Sequence, residues 1–293
     1  MKSKVYFTKT ITPEKMVEIY KALNINLNGK VAVKLHSGEP GNQNFLRPDF
    51  FKDIINYVNG VVVECNTAYA GKRNISSLHK QTLIKHGWNE LYEVDLLDEE
   101  GPDKVLPIKN GRLLDKNYVG KNIEKYDSML VLSHFKGHPM GGYGGALKQL
   151  SIGVASSAGK SYIHSAGKVT DQKILWSNTA SQNDFLVSMA ESAGSIVDYF
   201  NGQIAYINVM KNMSVDCDCC AVAEDPCMKD IGILASLDPV AIDKACVDLV
   251  INSDDPGKSH LLERINSRNG MLTIEEAHRL NVGNIEYELI CLD

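Results

Sequence analysis

Short apolar runs alternate with amphipathic stretches along most of this chain, and that alternation restricts the fold more than any other feature. Residues 31–35, 61–64 and 128–133 are brief, apolar and bounded by turn formers. Runs of this length with β-branched residues read as buried strands rather than helices. Between them lie helical patterns. Thr12 caps a helix with Pro13 at its first position and Met16, Ile19, Tyr20 and Leu23 on one face. Pro48 opens a second helix with Phe51, Ile54, Ile55 and Val58 inward, and a third starts at Ser76 or Ser77 and stops at Gly87. Further strands are expected at 5–7, 91–95, 105–108, 204–209, 231–235 and 287–291. Helices are expected at 183–200 and 240–250, the latter capped by Asp238-Pro239, and Thr273-Ile274-Glu275-Glu276 reads as a capping box. This rhythm predicts an α/β fold: a mostly parallel sheet with helices on both faces. Residues 1–293 are expected to form one continuous unit, with lobes 1–135 and 136–293 and the site between them.

The 293 residues, 44% hydrophobic and 23% charged, suffice for a large core. A net charge of -5 argues against a broad nucleic-acid-binding face and against a polybasic membrane anchor. The N-terminal MKSKVYFTKTITPEK lacks a signal-like apolar core, and no apolar run approaches the length of a membrane span. A cytoplasmic location is therefore expected. There, four cysteines within eleven residues suggest metal or redox chemistry rather than disulfides.

Residues 133–148, SHFKGHPMGGYGGALK, follow a strand and hold two histidines, two lysines and five glycines. Strand ends at the carboxyl edge are where open α/β sheets place their sites. His138 is the candidate for proton transfer, with Lys136 or Lys148 as alternates. Two other loops follow strands: one carries Lys34 and His36, the other Lys72 and Arg73. With Gly144 and Gly145 these four form the expected site for the anion of a substrate or cofactor. The glycine-rich string lacks a Gly-Lys-Ser/Thr ending, which argues against a nucleoside-triphosphate loop.

Residues 216–227 gather Cys217, Cys219, Cys220 and Cys227 among aspartates. Clustered thiolates suit zinc, copper(I) or an iron–sulphur cluster, and the spacing does not choose among them. His134 and His164 are further candidate metal ligands. The aspartates are expected to raise the thiol pKa values. A loop with incidental buried cysteines is the alternative. Cys246 and Cys291 read as core residues.

Residues 34–47, 66–73, 133–154 and 217–243 resemble the bacterial and archaeal proteins called iron-sulphur centre proteins, a family of unknown function. SHFKGHPMGGYGGALKQLSIG and DIGILASLDPVAIDKA are the most specific parts. Many such proteins carry a ferredoxin-like insert; residues 167–183 here contain no cysteine, so a cluster would use Cys217, Cys219, Cys220 or Cys227. More distantly, Gly144-Gly145-Ala146-Leu147-Lys148 is similar to the GG-x-K motif of the nickel-pincer lactate racemase group, with one extra residue. That likeness implies His138 as proton carrier, Lys148 as the tether of a nickel-pincer-type nucleotide and His164 as a nickel ligand. The group's Gly-Thr-His-Arg loop has no match in residues 67–73.

Three functions are consistent with these residues. The first is a metal-dependent enzyme, an oxidoreductase or isomerase, acting on a small anionic ligand. The second is a metal or cluster carrier that serves a redox partner without turnover. The third is a binding module that holds an anion through the glycine-rich loop.

Overall fold

The computed structural model describes residues 2–293. In chain order the strands and helices are β1 (Ser3–Thr8), α1 (Pro13–Ala22), β2 (Val31–Lys34), α2 (Lys52–Tyr57), β3 (Gly60–Glu64), α3 (Ser76–Lys85), α4 (Trp88–Leu91) and β4 (Val94–Leu96). Then come β5 (Lys104–Pro107), β6 (Lys116–Val119), β7 (Ser128–His134), β8 (Lys136–His138), β9 (Gly142–Gly144), α5 (Ala146–Lys148), α6 (Ser157–His164) and α7 (Gln182–Phe200). The chain closes with β10 (Ile204–Met210), β11 (Gly232–Ser236), α8 (Pro239–Ile251), α9 (Lys258–Ser267), α10 (Met271–Arg279) and β12 (Tyr287–Cys291).

Eight strands form one sheet in the order β12-β1-β11-β10-β7-β2-β3-β4. Only the two pairings made by β11 are antiparallel. The others, from β10 through β4 and between β1 and β12, are parallel. The expected α/β architecture is thus the observed one. Strands from both ends of the chain share the sheet.

Alternation along each strand divides the core into two layers. Val31, Val33, Leu130 and Leu132 face α1, α2 and the residues around Trp88. Ala32, Met129 and Val131 face the opposite layer, with residues of α5, α7, α8 and α10. Every residue of β7 is buried, as a central parallel strand covered on both faces requires.

Some boundaries moved for identifiable reasons. Leu91 ends the short helix α4 instead of starting a strand, and β4 begins at Val94. Pro48 opens a 3-10 turn, Pro48–Phe51, ahead of α2. Thr273 lies inside α10, whose N-cap is Gly270, so the capping-box reading fails. Its buried side chain is drawn toward α7, where the hydroxyl is 3.5 Å from the Leu186 carbonyl. No helix among the described residues is long and apolar enough to cross a membrane.

Candidate metal and anion site

Parallel strands bring their carboxyl ends to one edge. There β2 leads to His36, β3 to Asn66, β7 to the glycine-rich hairpin and β10 to the cysteine loop. A cavity of about 250 Å³ opens at this edge. Among the residues singled out from sequence, Lys34, His36, Arg73, His138, Lys148, His164 and Cys219 line it.

The cysteine loop is held down by the loop after β2. Glu39 donates its backbone N–H to the Asp218 carbonyl at 2.8 Å. Asn42 donates to the carbonyls of Cys220 at 2.9 Å and Cys217 at 3.3 Å. Gly41, at φ +99°, comes so close that a Cβ there would sit 2.8 Å from the Ala221 carbonyl oxygen. This is a backbone contact that only glycine permits.

Beneath the loop, Asp218 is buried between His134 and Lys136. It accepts from His134 Nδ1 at 2.9 Å and from Lys136 Nζ at 2.6 Å. Burial pushes this carboxyl up, but His134 and Lys136 outweigh it and hold it well below its usual range. His134 Nε2 faces the Lys211 carbonyl at 2.6 Å. Both ring nitrogens are therefore taken by oxygens, and His134 is not placed as a metal ligand. Lys136 is spent on Asp218 and does not line the cavity.

Above Asp218, the ligand atoms of His138, Cys217 and Cys219 lie within 4.8 Å of one another. Lys148 Nζ is 3.8 Å from Cys217 Sγ, and His138 Nε2 is 3.8 Å from Cys219 Sγ. The aspartates do not raise the Cys217 thiol as expected. A hydrogen bond from Cys219 lowers it, burial opposes this, and Lys148 and Lys136 lower it further, to well below the usual thiol value. Burial pulls Lys148 down, but the negative charge at Cys217 and Asp218 more than offsets it, so the amine stays protonated.

His138 has a defined tautomer. Its Nδ1 accepts the backbone N–H of Gly141 at 2.8 Å and of Met140 at 3.1 Å. The single proton of the neutral ring therefore sits on Nε2, facing the sulfurs. Burial, followed by the Lys148 charge, lowers the ring pKa to about 4.

Other expected residues lie elsewhere. Cys227 donates its thiol to the Met213 carbonyl at 3.3 Å and is outside the ligand group. Cys220 is half-buried and follows in the same turn, its N–H bonded to the Cys217 carbonyl at 2.9 Å. Lys72 is exposed and does not line the cavity.

Gly144 and Gly145 are not an anion cradle. The N–H groups that follow them, of Ala146 and Leu147, donate to the buried Asp243 carboxylate at 2.7 and 3.0 Å. A Cβ on Gly145 would lie 2.4 Å from Asp243 Oδ1. The protein's own carboxylate occupies the place an external anion would take. His164 does reach the cavity, stacked on Phe185 at 4.5 Å, with its Nδ1 unpartnered. Burial and the charges around it lower its pKa to about 3.

Three participants had weak sequence signals. Glu64 ends the apolar run of β3 and accepts from Lys34 at 2.7 Å and from the Ser37 hydroxyl at 2.9 Å. Burial pushes Glu64 up, yet Lys34, His36 and Arg73 hold it well below its usual range. Tyr69 bridges Arg73 and Glu39 at 3.0 and 3.2 Å. Lys160 is a lysine within the small-residue helix α6 and also faces the cavity. A charge inside an otherwise apolar or small-residue segment was the available hint for Glu64, Lys160 and Asp243.

The profile of the family described as "Domain of unknown function (DUF362)" matches residues 31–248. A comparison with curated proteins found no match. Among solved structures, the chain is similar to the lactate racemase apoprotein from Thermoanaerobacterium thermosaccharolyticum, at 13% identity and a TM-score of 0.42, over 70% of this chain and 50% of that one. It is also similar to a protein from Thermotoga maritima, at 11% identity and a TM-score of 0.38, over 92% of this chain and 59% of that one. The chain thus spans between half and three fifths of the length of these two proteins.

Proposed function

The chain belongs to the DUF362 family, and we propose that it is a metal-dependent enzyme of the cytoplasm. In this reading Cys217 and Cys219 hold one soft metal ion, and a small anionic molecule binds beside it. The observation that carries this is that the Cys217 and Cys219 sulfurs lie within 4.8 Å of each other, with Cys219 on the cavity wall. Soft thiolates select zinc, copper or nickel over hard cations. An ion on two thiolates keeps positions open and supplies Lewis acidity to a bound ligand. Free thiols also suit a reducing compartment.

The side chains divide the work. Cys217 enters as a thiolate, with Lys148 balancing its charge. His138 keeps its proton on the nitrogen that faces the sulfurs, so it serves as the proton carrier instead of a third ligand. Lys34, Arg73 and Lys160 line the cavity, Lys34 paired with Glu64 and Arg73 with Glu39, and supply N–H donors along its wall.

Other cofactors fit less well. A four-cysteine iron–sulphur cluster would need Cys227, which is tied to Met213. A nickel-pincer-type nucleotide would need room in a cavity of about 250 Å³, below the ~300–1,000 Å³ of ordinary ligand pockets. Lys148 would also have to leave Cys217. The carrier reading calls for an accessible centre, whereas Cys217 is buried.

Anaerobic purification with elemental analysis tests the proposal. One equivalent of zinc, copper, nickel or iron per chain is expected, and its loss in Cys217→Ser. A folded protein that stays metal-free after growth with these metals overturns it.

A further inference from the structure

Most polar side chains on the cavity wall already have partners. Lys34 meets Glu64 at 2.7 Å, Arg73 meets Glu39 at 2.9 Å, and Lys148 lies 3.8 Å from the Cys217 sulfur. Lys160 donates to the Ala155 carbonyl at 2.5 Å, and its charge acts on the buried Asp98 carboxylate. Tyr69 donates to Glu39 at 3.2 Å. The charges on this wall are thus answered within the protein.

Gln149 is different. It lines the cavity and is buried, at 8% exposure. Its backbone N–H donates to the Gly145 carbonyl at 3.0 Å, but its side-chain amide has no hydrogen-bond partner among the described residues. Room is kept for that amide. A Cβ on Gly153 would lie 2.7 Å from Gln149 Oε1 and 2.9 Å from Lys34 Cε, so the glycine leaves both side chains their places. Gln149 and Gly153 are the two ends of one π-helical turn, Gln149–Gly153. Single turns of this kind are frequent at functional sites.

A side-chain amide carries a carbonyl acceptor and two N–H donors. Burying such a group without partners is costly, and at the cavity wall a ligand can supply them. The closest complement is another amide, which returns one acceptor and one donor side by side. A carboxylate has no donor for Oε1, and a single hydroxyl cannot face both atoms in line. His164 Nδ1 also lacks a partner, but one ring atom cannot give and accept together.

We propose that Gln149 selects the ligand by a primary carboxamide, donating from Nε2 to its carbonyl oxygen and accepting one of its N–H groups at Oε1. The proposal rests on reading the cavity as a ligand site, and it concerns a group other than the anionic one placed beside the metal. A volume of about 250 Å³ equals the space of roughly eight waters, so the ligand is small. Ile152, Leu175 and Trp176 give its carbon body an apolar wall.

Ligand-detected NMR on the full chain tests this with three probes. Benzamide carries the carboxamide, acetophenone has the same shape with a methyl group in place of the amide nitrogen, and benzoate replaces the amide by a charge. Benzamide should bind at least about tenfold more tightly than acetophenone, the worth of one hydrogen bond and of an acceptor otherwise left unpaired. Gln149→Met, of similar length but without the amide, should abolish that preference. Equal binding of benzamide and acetophenone by the wild type overturns the proposal. So does an undiminished preference in Gln149→Met, or benzoate binding more tightly than benzamide. Should Gln149→Met fail to fold, the wild-type comparison decides alone. Metal content of the same samples separates the two readings. A metal-free protein that prefers benzamide refutes the metal centre and keeps the role of Gln149, and a metal-loaded protein without the preference does the reverse.

Discussion

The Lys148 ammonium lies 3.8 Å from the Cys217 sulfur, and each favours the charged form of the other, with a hydrogen bond from Cys219 the larger influence on the thiol. The Cys217 thiol sits well below its usual value and Lys148 above its own, despite the burial that opposes both. Lys148→Met therefore raises the pH at which the thiolate appears. Thiolate ultraviolet absorbance of the chelator-treated protein follows this directly. An unmoved midpoint would mean that the two charges are not coupled.

The cysteines separate into two groups. Cys217→Ser and Cys219→Ser should abolish stoichiometric metal, while Cys227→Ser leaves it unchanged, because Cys227 bonds to Met213 outside the ligand group. His134→Ala should cost stability but retain the metal, since both its nitrogens already face oxygens. Metal-to-protein ratios of the folded variants decide each case.

Removing Lys136 leaves Asp218 buried with His134 as its remaining ion-pair partner. Breaking a buried pair from one side costs about 3–5 kcal/mol, much of it the uncompensated charge. Lys136→Met should lose stability on that scale in urea unfolding. A loss typical of an exposed pair would show that the charge is relieved elsewhere.

Two neighbouring glycines should respond oppositely to one methyl group. A Cβ on Gly145 meets Asp243 Oδ1 at 2.4 Å, whereas on Gly144 it meets only the Lys136 and Lys148 stems at 3.6 Å and beyond. Gly145→Ala should cost at least about 1–3 kcal/mol through overpacking, and Gly144→Ala should stay within about 0.5 kcal/mol of wild type. Equal losses would place the constraint elsewhere in the hairpin.

Asp243 sets a pH signature. Burial raises its carboxyl to about 6, against the lowering effects of Leu147, Asn208 and Ala146. The folded state then holds a proton that the unfolded state has released between pH ~4 and ~6. This contribution is fully present below the unfolded value and is lost as pH rises through about 6. Asp218 and Glu64, held low, act in the opposite sense at more acidic pH. The comparison with Asp243→Asn isolates the effect: the stability advantage of wild type should shrink by about 3 kcal/mol between pH ~4 and ~7. A pH-independent gap would mean that Asp243 does not titrate there.

The parallel sheet was legible because strand length and helical periodicity are local properties. Residues 31–34, 60–64 and 128–134 announce themselves by apolar runs, and Pro13 and Pro239 open the helices their sequences suggest. The carboxyl edge followed from strand direction. The misread boundaries fall at Leu91, which closes α4 with its side chain exposed, and at Thr273, whose buried side chain lies inside α10 against α7.

The sequence by itself thus determined the architecture, the edge that carries the chemistry and most of the residues gathered there. Tertiary structure decided what each of them does, because a side chain's role depends on which partner reaches it first. Asp218 claims His134 and Lys136, and Asp243 claims the N–H groups after Gly145. Lys148 is left to Cys217, and Lys160 donates to the Ala155 carbonyl. The Lys136–Asp218 and Gly145–Asp243 pairings join residues far apart in the chain, and no spacing within a motif could have revealed them.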